Sequence, residues 1–184
     1  MARYNVEAIV LKKVNFGETD RIYTLFTKEK GKIRAVAKGV RKISSRRGGN
    51  LDTLNLATIN LTESNGGFNS IVEVKTLNSH KNIKKTLEKS LAGFYIAEVI
   101  NKSVEEDSEN RELFELLKVS LSVLDIGDKK PGFVVNKFEF LLMKILGYEM
   151  SLEKLKSINK NELDDRLKTY VKEALEEDFK SLEI

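Results

Sequence analysis

This chain of 184 residues has no cysteine, one proline and one histidine. Without cysteine, a disulfide scaffold and any thiolate metal site are excluded, and a reducing cytoplasm is the expected location. A zinc site of the usual nitrogen and sulfur type cannot be built from His80 alone. No Ser–His–Asp arrangement and no Gly-x-Ser-x-Gly string is present. The glycine pieces Arg46-Arg47-Gly48-Gly49 and Asn65-Gly66-Gly67 lack the P-loop pattern. The longest uncharged runs fall far short of the ~18 residues of a membrane span. Met1 to Asn5 open without the charged and then apolar regions of a secretory signal, so none is expected. Catalysis is therefore not expected: no catalytic residue, metal or cofactor is assigned, and a binding function is favoured. The acidic pairs fit that view. Glu18 and Asp20 are expected to cap a turn or pair with Arg21, Glu105 to Glu109 to form a solvated loop, and His80 to be an ordinary surface residue.

What is present is concentrated positive charge. Between Lys28 and Arg47 lie nine basic side chains and one acidic one, Glu29, a net +8 on a chain of net +4. Residues 1–80 hold 14 Lys and Arg against 7 Asp and Glu, while residues 81–184 hold 18 against 21. The two parts thus face different partners, or face each other. A one-signed ridge of this density is the footprint of a polyanion site. The bland alternative is a solvated basic loop.

The first 77 residues have the pattern of strands. Ala8-Ile9-Val10-Leu11 is an apolar run. Arg21 to Thr27 is β-branched and aromatic. Lys28-Glu29-Lys30-Gly31 is a tight connection, with Gly31 suited to positive φ. Ile33, Ala35 and Ala37 alternate with Arg34, Val36 and Lys38, a period of two with one face inward. Ala57, Ile59 and Leu61 alternate with Thr58, Asn60 and Thr62. Asn65-Gly66-Gly67 is a turn signal, and Ile71 to Leu77 is a fifth strand. Five short strands with small turns and one long loop predict a small closed barrel, since closure removes exposed edges.

From Ser79 the period becomes helical. One face carries Ile83, Leu87, Leu91, Phe94 or Tyr95, and Ile100, with Ser79 as a candidate cap. Asn110 is placed to cap a second helix carrying Leu113, Leu116, Leu117, Leu121 and Leu124. Pro131 suits the first turn of a third, which Gly147 terminates. A short helix is expected over Leu152 to Ile158, and a last one capped by Asn161. The predicted fold class is α+β: a five-stranded β-barrel over residues 1–78, followed by an α-helical domain over 79–184. No Gly/Ser/Pro-rich linker separates them.

Aromatics near the ridge matter because each stacked base contributes ~1–3 kcal/mol with little sequence preference. The candidates are Tyr4, Phe16, Tyr23, Phe26 and Phe68. Tyr23 and Phe26 lie on opposite strand faces, so one is expected in the core and the other exposed. Phe94, Phe114, Phe133, Phe138 and Phe140 are assigned to helix cores by default, with Phe133 or Phe140 as the alternative lining of an exposed groove.

Several of these strings resemble the RecO family of bacterial recombination mediators. They are Ala8-Ile9-Val10-Leu11, Gly17-Glu18-Thr19-Asp20-Arg21, and Leu25 through Arg41. Ala97-Glu98-Val99, Glu112 to Leu117 and Phe138 to Tyr148 are similar to that family's helical domain. The resemblance covers roughly residues 1–148. It implies an OB-fold barrel and a helical domain, binding of single- and double-stranded DNA, and annealing of complementary strands. It also implies partnership with RecR and with the acidic C-terminal tail of single-stranded DNA-binding protein, so that recombinase is loaded during repair. Many members carry a four-cysteine zinc module after the Leu-Gly-Tyr segment. Glu149 to Ile184 has no cysteine, so no zinc is expected and the helical domain is expected to be reduced.

The leading expectation is a non-enzymatic mediator whose phosphate contacts are Arg34, Lys38, Arg41, Lys42, Arg46 and Arg47, with Lys12, Lys13 and Arg21 as secondary contacts. Annealing needs neutralisation of two strands and mobile contacts, which phosphate-dominated binding supplies. The competing expectation is a protein-interaction adaptor whose ridge docks acidic partner peptides, DNA contact being incidental. An RNA-binding OB protein is a weaker third.

Overall fold

The computed structural model describes residues 2–42, 45, 47–63, 68–148 and 160–175. The Asn65-Gly66-Gly67 turn, Arg46 and the Leu152–Ile158 helix lie outside them. By internal contact the chain divides into two units. Residues 1–80 and 104–114 form one, and residues 81–103 and 115–184 the other.

The first unit is built on strands β1 (Arg3–Phe16), β2 (Asp20–Thr27), β3 (Gly31–Ala37), β4 (Leu56–Thr62) and β5 (Asn69–Asn78), with the single-turn helix α1 (Arg47–Asn50) between β3 and β4. They close into a barrel in the order β1-β2-β3-β5-β4. All pairings are antiparallel except β3 with β5, which is parallel and limited to Ala35–Asn69 and Val36–Ser70. This is the five-stranded Greek-key barrel of the OB-fold, here closed.

The period of two in β3 and β4 is realised. Ile33, Ala35, Ala37, Ala57, Ile59 and Leu61 fill the barrel with Val6, Ala8, Val10, Tyr23, Leu25 and Ile71. Mixing alanines with larger side chains suits the narrow interior of a small barrel. A bulge in β1 leaves Leu11 between the pairs Val10–Leu25 and Lys12–Thr24. The bulge keeps Val10 inward while turning Lys12 outward.

Two loop predictions are corrected. The Glu105–Glu109 stretch is no plain solvated loop. Asp107 N–H donates to the Lys32 carbonyl at 2.9 Å, and Glu106 bridges Lys32 in parallel, along the part of β3 that β5 leaves unpaired. Gly31 has φ +67°, and a Cβ there would stand 1.9 Å from the Ser108 carbonyl oxygen. Only glycine fits both demands. His80 is fully buried, its Nδ1 2.7 Å from the Leu54 carbonyl, because Leu54 (φ 71°) turns that oxygen inward and a buried ring needs a polar partner.

The second unit holds a 3₁₀ turn (Ile83–Lys85) and helices α2 (Leu87–Ser103), α3 (Arg111–Ile126, its first turn counted with the barrel), α4 (Pro131–Ile145) and α5 (Lys160–Leu175). α2 packs on α4, and α4 on α5. Thr86 is extended and resets the helical phase, and its hydroxyl accepts the Lys89 N–H at 3.3 Å. Thr86, not Ser79, therefore opens α2. The buried face becomes Ala92, Tyr95, Ile96, Val99 and Ile100, while Leu87 and Phe94 are exposed. Asn110 caps α3 through the Leu113 N–H at 3.0 Å. Pro131 begins α4. Gly147 (φ 83°) ends it in a Schellman motif, with Gly147 and Tyr148 N–H on the Lys144 and Met143 carbonyls. Asn161 lies inside α5 rather than before it. Phe133 is exposed, whereas Phe138 is buried. The Tyr95 hydroxyl donates a hydrogen bond to the buried Glu139 carboxylate. Burial, then the adjacent carboxylate, pushes the Tyr95 hydroxyl far above its usual range. Among the described residues no helix is long and apolar enough to cross a membrane, and no cluster of His, Asp and Glu is fit to hold a metal.

Candidate nucleic-acid interface

The strand register sorts the basic side chains by face. Residues paired across neighbouring strands point the same way, so the outward surface of β1-β2-β3 is a stack of rows. The first row is Ile9, Phe26 and Lys32; the next is Lys12, Thr24 and Arg34. Then come Val14, Ile22 and Val36, and finally Phe16 with Asp20.

One end of this surface is covered. Ile9 and Phe26 are fully buried, and the Phe26 ring lies 6.0 Å from that of Phe114. Tyr23 is buried inside the barrel. Both aromatics are therefore in cores, against the expectation of one, because the 104–114 segment supplies a second core outside the barrel. Toward the other end the β1 side of the surface is open, while Ile22 is half-buried and Val36 buried. Val14 is 50 % and Phe16 52 % exposed, an apolar strip beside Lys12 and Thr24.

A latched turn bounds the open end. Asp20 Oδ1 accepts the Gly39 N–H at 2.7 Å and the Thr19 hydroxyl at 2.9 Å. Arg41 N–H donates to the Thr19 carbonyl at 2.9 Å, and its Nη1 to the Gly17 carbonyl at 3.1 Å. Asp20 thus serves the backbone of the basic turn, not Arg21. The Gly39 N–H, then the Thr19 hydroxyl, with smaller help from Lys38 and Lys42, hold its carboxyl below the usual range. The latch presents Lys38, Arg41 and Lys42, all exposed, beside the Phe16 end of the surface.

The remaining predicted contacts are differently placed. Arg34 is engaged by Glu106 through Nε–Oε1 at 2.8 Å and Nη2–Oε2 at 3.1 Å, and its guanidinium lies 5.4 Å from the Phe68 ring centre. Lys13 turns to the opposite face from Lys12 and pairs with Asp52 at 2.5 Å. Arg21 shares the register row of Asn15 and Ala37 and donates to Asn15 Oδ1 at 2.9 Å. Arg47 opens α1. Of the aromatic candidates, Tyr4 is half-buried with Lys30 Nζ 4.0 Å above its ring. The structure therefore brings Lys12, Arg34, Lys38, Arg41 and Lys42 to one side of the barrel. Lys13 and Arg21 are turned from it, since alternate strand residues face opposite ways. Residue reasoning missed Val14, Ile22 and Glu106. The acidic excess of residues 81–184 was the available sign of Glu106.

The barrel order and the helical unit define an OB-fold protein with a C-terminal helical domain. The family Recombination protein O N terminal matches residues 1–80, and Recombination protein O C terminal matches residues 84–155. The chain belongs to the RecO family of DNA repair proteins. It is 38 % identical over 153 residues to the DNA repair protein RecO of Thermoanaerobacter sp. (strain X514), a match covering 83 % of this chain and 61 % of that protein. It is 32 % identical over 148 residues to the DNA repair protein RecO of Rhodopirellula baltica, covering 80 % and 54 %. It is 32 % identical over 157 residues to the DNA repair protein RecO of Dehalococcoides mccartyi (strain ATCC BAA-2100), covering 85 % of this chain and 61 % of that protein. The chain thus matches a little over half the length of these relatives.

Proposed function

We propose that this chain is a non-enzymatic, DNA-binding recombination mediator. It binds single-stranded DNA on the open half of the β1-β2-β3 surface, anneals complementary strands and helps load recombinase in repair. Phosphates contact Lys12, Lys38, Arg41 and Lys42, with Arg46 and Arg47 as further proposed contacts, while bases stack on Phe16 and lie against Val14. The observation that carries this reading is one exposed surface combining an apolar strip with cations at its edges, the pattern that single strands require. Annealing follows from neutralising two strands through contacts that carry no sequence information. RecR and the acidic tail of single-stranded DNA-binding protein are the proposed protein partners, in the cytoplasm.

The adaptor reading has one observation in its favour: a carboxylate, Glu106, already occupies Arg34. Competition separates the two readings. A fluorescent oligothymidine bound to the chain at physiological salt is challenged with a Glu- and Asp-rich peptide. A mediator releases little DNA at equimolar peptide. Full displacement at that ratio favours the adaptor.

A further inference from the structure

We propose that Arg34 is a latent phosphate site, closed in this structure by the chain's own Glu106, for which the DNA backbone and the Val104–Glu109 segment compete. The inference rests on the DNA-binding reading above.

Three independent features point to it. First, Glu106 sits on Arg34 through two prongs, at 2.8 and 3.1 Å. That is the fork a guanidinium offers equally to a carboxylate or a phosphate. Second, the pair is displaceable. Its side chains are 49 % and 46 % exposed, and ion pairs so open to water are weak. Third, the site adjoins the open surface. Arg34 shares the row of Lys12 and Thr24, and its guanidinium lies over Phe68, itself exposed. A phosphate on Arg34 would continue the track from Lys12 and leave Phe68 beside it for a base.

The backbone holds the competitor in place. β5 pairs with β3 only at Ala35 and Val36, which leaves the edge at Lys32 unfilled by the barrel. Asp107 N–H takes that edge through the Lys32 carbonyl, and Gly31 admits the Ser108 carbonyl. Burial holds the Lys32 ammonium below its usual range, and the carboxylates of Glu106 and Glu105 partly offset that shift. The segment is thus a surrogate strand that carries a surrogate anion. DNA that enters must exchange with Glu106, so the resting chain binds with one phosphate contact fewer than its cations permit.

The test is a salt series of oligothymidine binding to the full chain, read by fluorescence anisotropy. Glu106→Gln frees the fork, so the log–log slope should steepen by ~0.7, which is about 4-fold tighter binding at 0.15 M salt. Arg34→Ala alone should change affinity less than about 2-fold, and added to Glu106→Gln it should abolish the gain. Glu109→Gln makes the same charge change at a partner of Arg111, 2.8 Å away, and should leave the slope unaltered. Unchanged binding in Glu106→Gln overturns the inference while leaving DNA binding intact. A gain that survives loss of Arg34, or that appears for an acidic peptide but not for DNA, also overturns it. Wild-type chain that binds no DNA at low salt defeats both the inference and the reading beneath it.

Discussion

Replacing Gly31 by Ala tests the docking of the 104–109 segment on β3. Gly31 has φ +67°, where a Cβ costs about 1–2 kcal/mol. That Cβ would also stand 1.9 Å from the Ser108 carbonyl oxygen, against an ordinary contact of 3.4–4 Å. The neighbour is backbone, so the segment must retreat as a whole. Retreat breaks the Asp107 N–H bond to Lys32, worth about 0.5–1.5 kcal/mol, and the exposed Arg34–Glu106 pair, worth about 0–1 kcal/mol. The expected cost is about 2–4 kcal/mol, measured as a shift of the urea midpoint at constant slope. Gly17 supplies an internal control. Its φ is +56°, and nothing lies within 4 Å of a Cβ there. Gly17→Ala should therefore cost only the backbone strain, about 1–2 kcal/mol. Amide exchange at Asp107 should quicken in Gly31→Ala and not in Gly17→Ala. Equal costs for the two variants, with Asp107 still protected in both, would refute this docking.

Further outcomes follow from other sites. Ile59→Ala, at a fully buried position of the barrel core, should destabilise by about 2–5 kcal/mol in the same urea assay; under 1 kcal/mol would contradict the packing. Tyr95→Phe withdraws a donor from buried Glu139 and should cost about 1–3 kcal/mol, while Glu139→Gln, which still accepts from Tyr95, should cost less. Asp20 is held below its ordinary 3.8, so its latch is intact above that pH and loosens as pH falls through the lower folded value. The Gly39 amide resonance should titrate with a midpoint below 3.8, and a midpoint at or above 3.8 would contradict the latch.

Much of this architecture is legible in local sequence. The period of two fixed the inward faces of β3 and β4 because a pleated strand must bury alternate residues. Asn110, Pro131 and Gly147 marked helix ends because each answers a local backbone demand. What failed was non-local. Phe26 carries no sign that Phe114, far along the chain, will cover it. Glu106 looks like any loop acid until β5 is seen to leave part of β3 unpaired. The phase of α2 is not legible from periodicity because Thr86 interrupts a helix whose apolar residues run nearly all round. Arg34 and Lys38 were rightly seen as outward, but charge density alone could not tell the cation held by Glu106 from those on the latched turn.

The central claim is that phosphates bind Lys12, Lys38, Arg41 and Lys42. The most direct measurement is the salt dependence of oligothymidine binding by wild-type chain and by the variant with all four changed to Ala. The variant loses the exposed Arg41 Nη1 bond to the Gly17 carbonyl, but the Arg41 backbone keeps its bond to Thr19 and the other side chains are exposed, so the melting temperature should fall by no more than a few degrees, about 2–4 °C. Each lost contact flattens the log–log slope by ~0.7, so the account predicts a slope shallower by about 3, with annealing of complementary strands reduced in parallel. A folded variant that keeps the wild-type slope and affinity would contradict it.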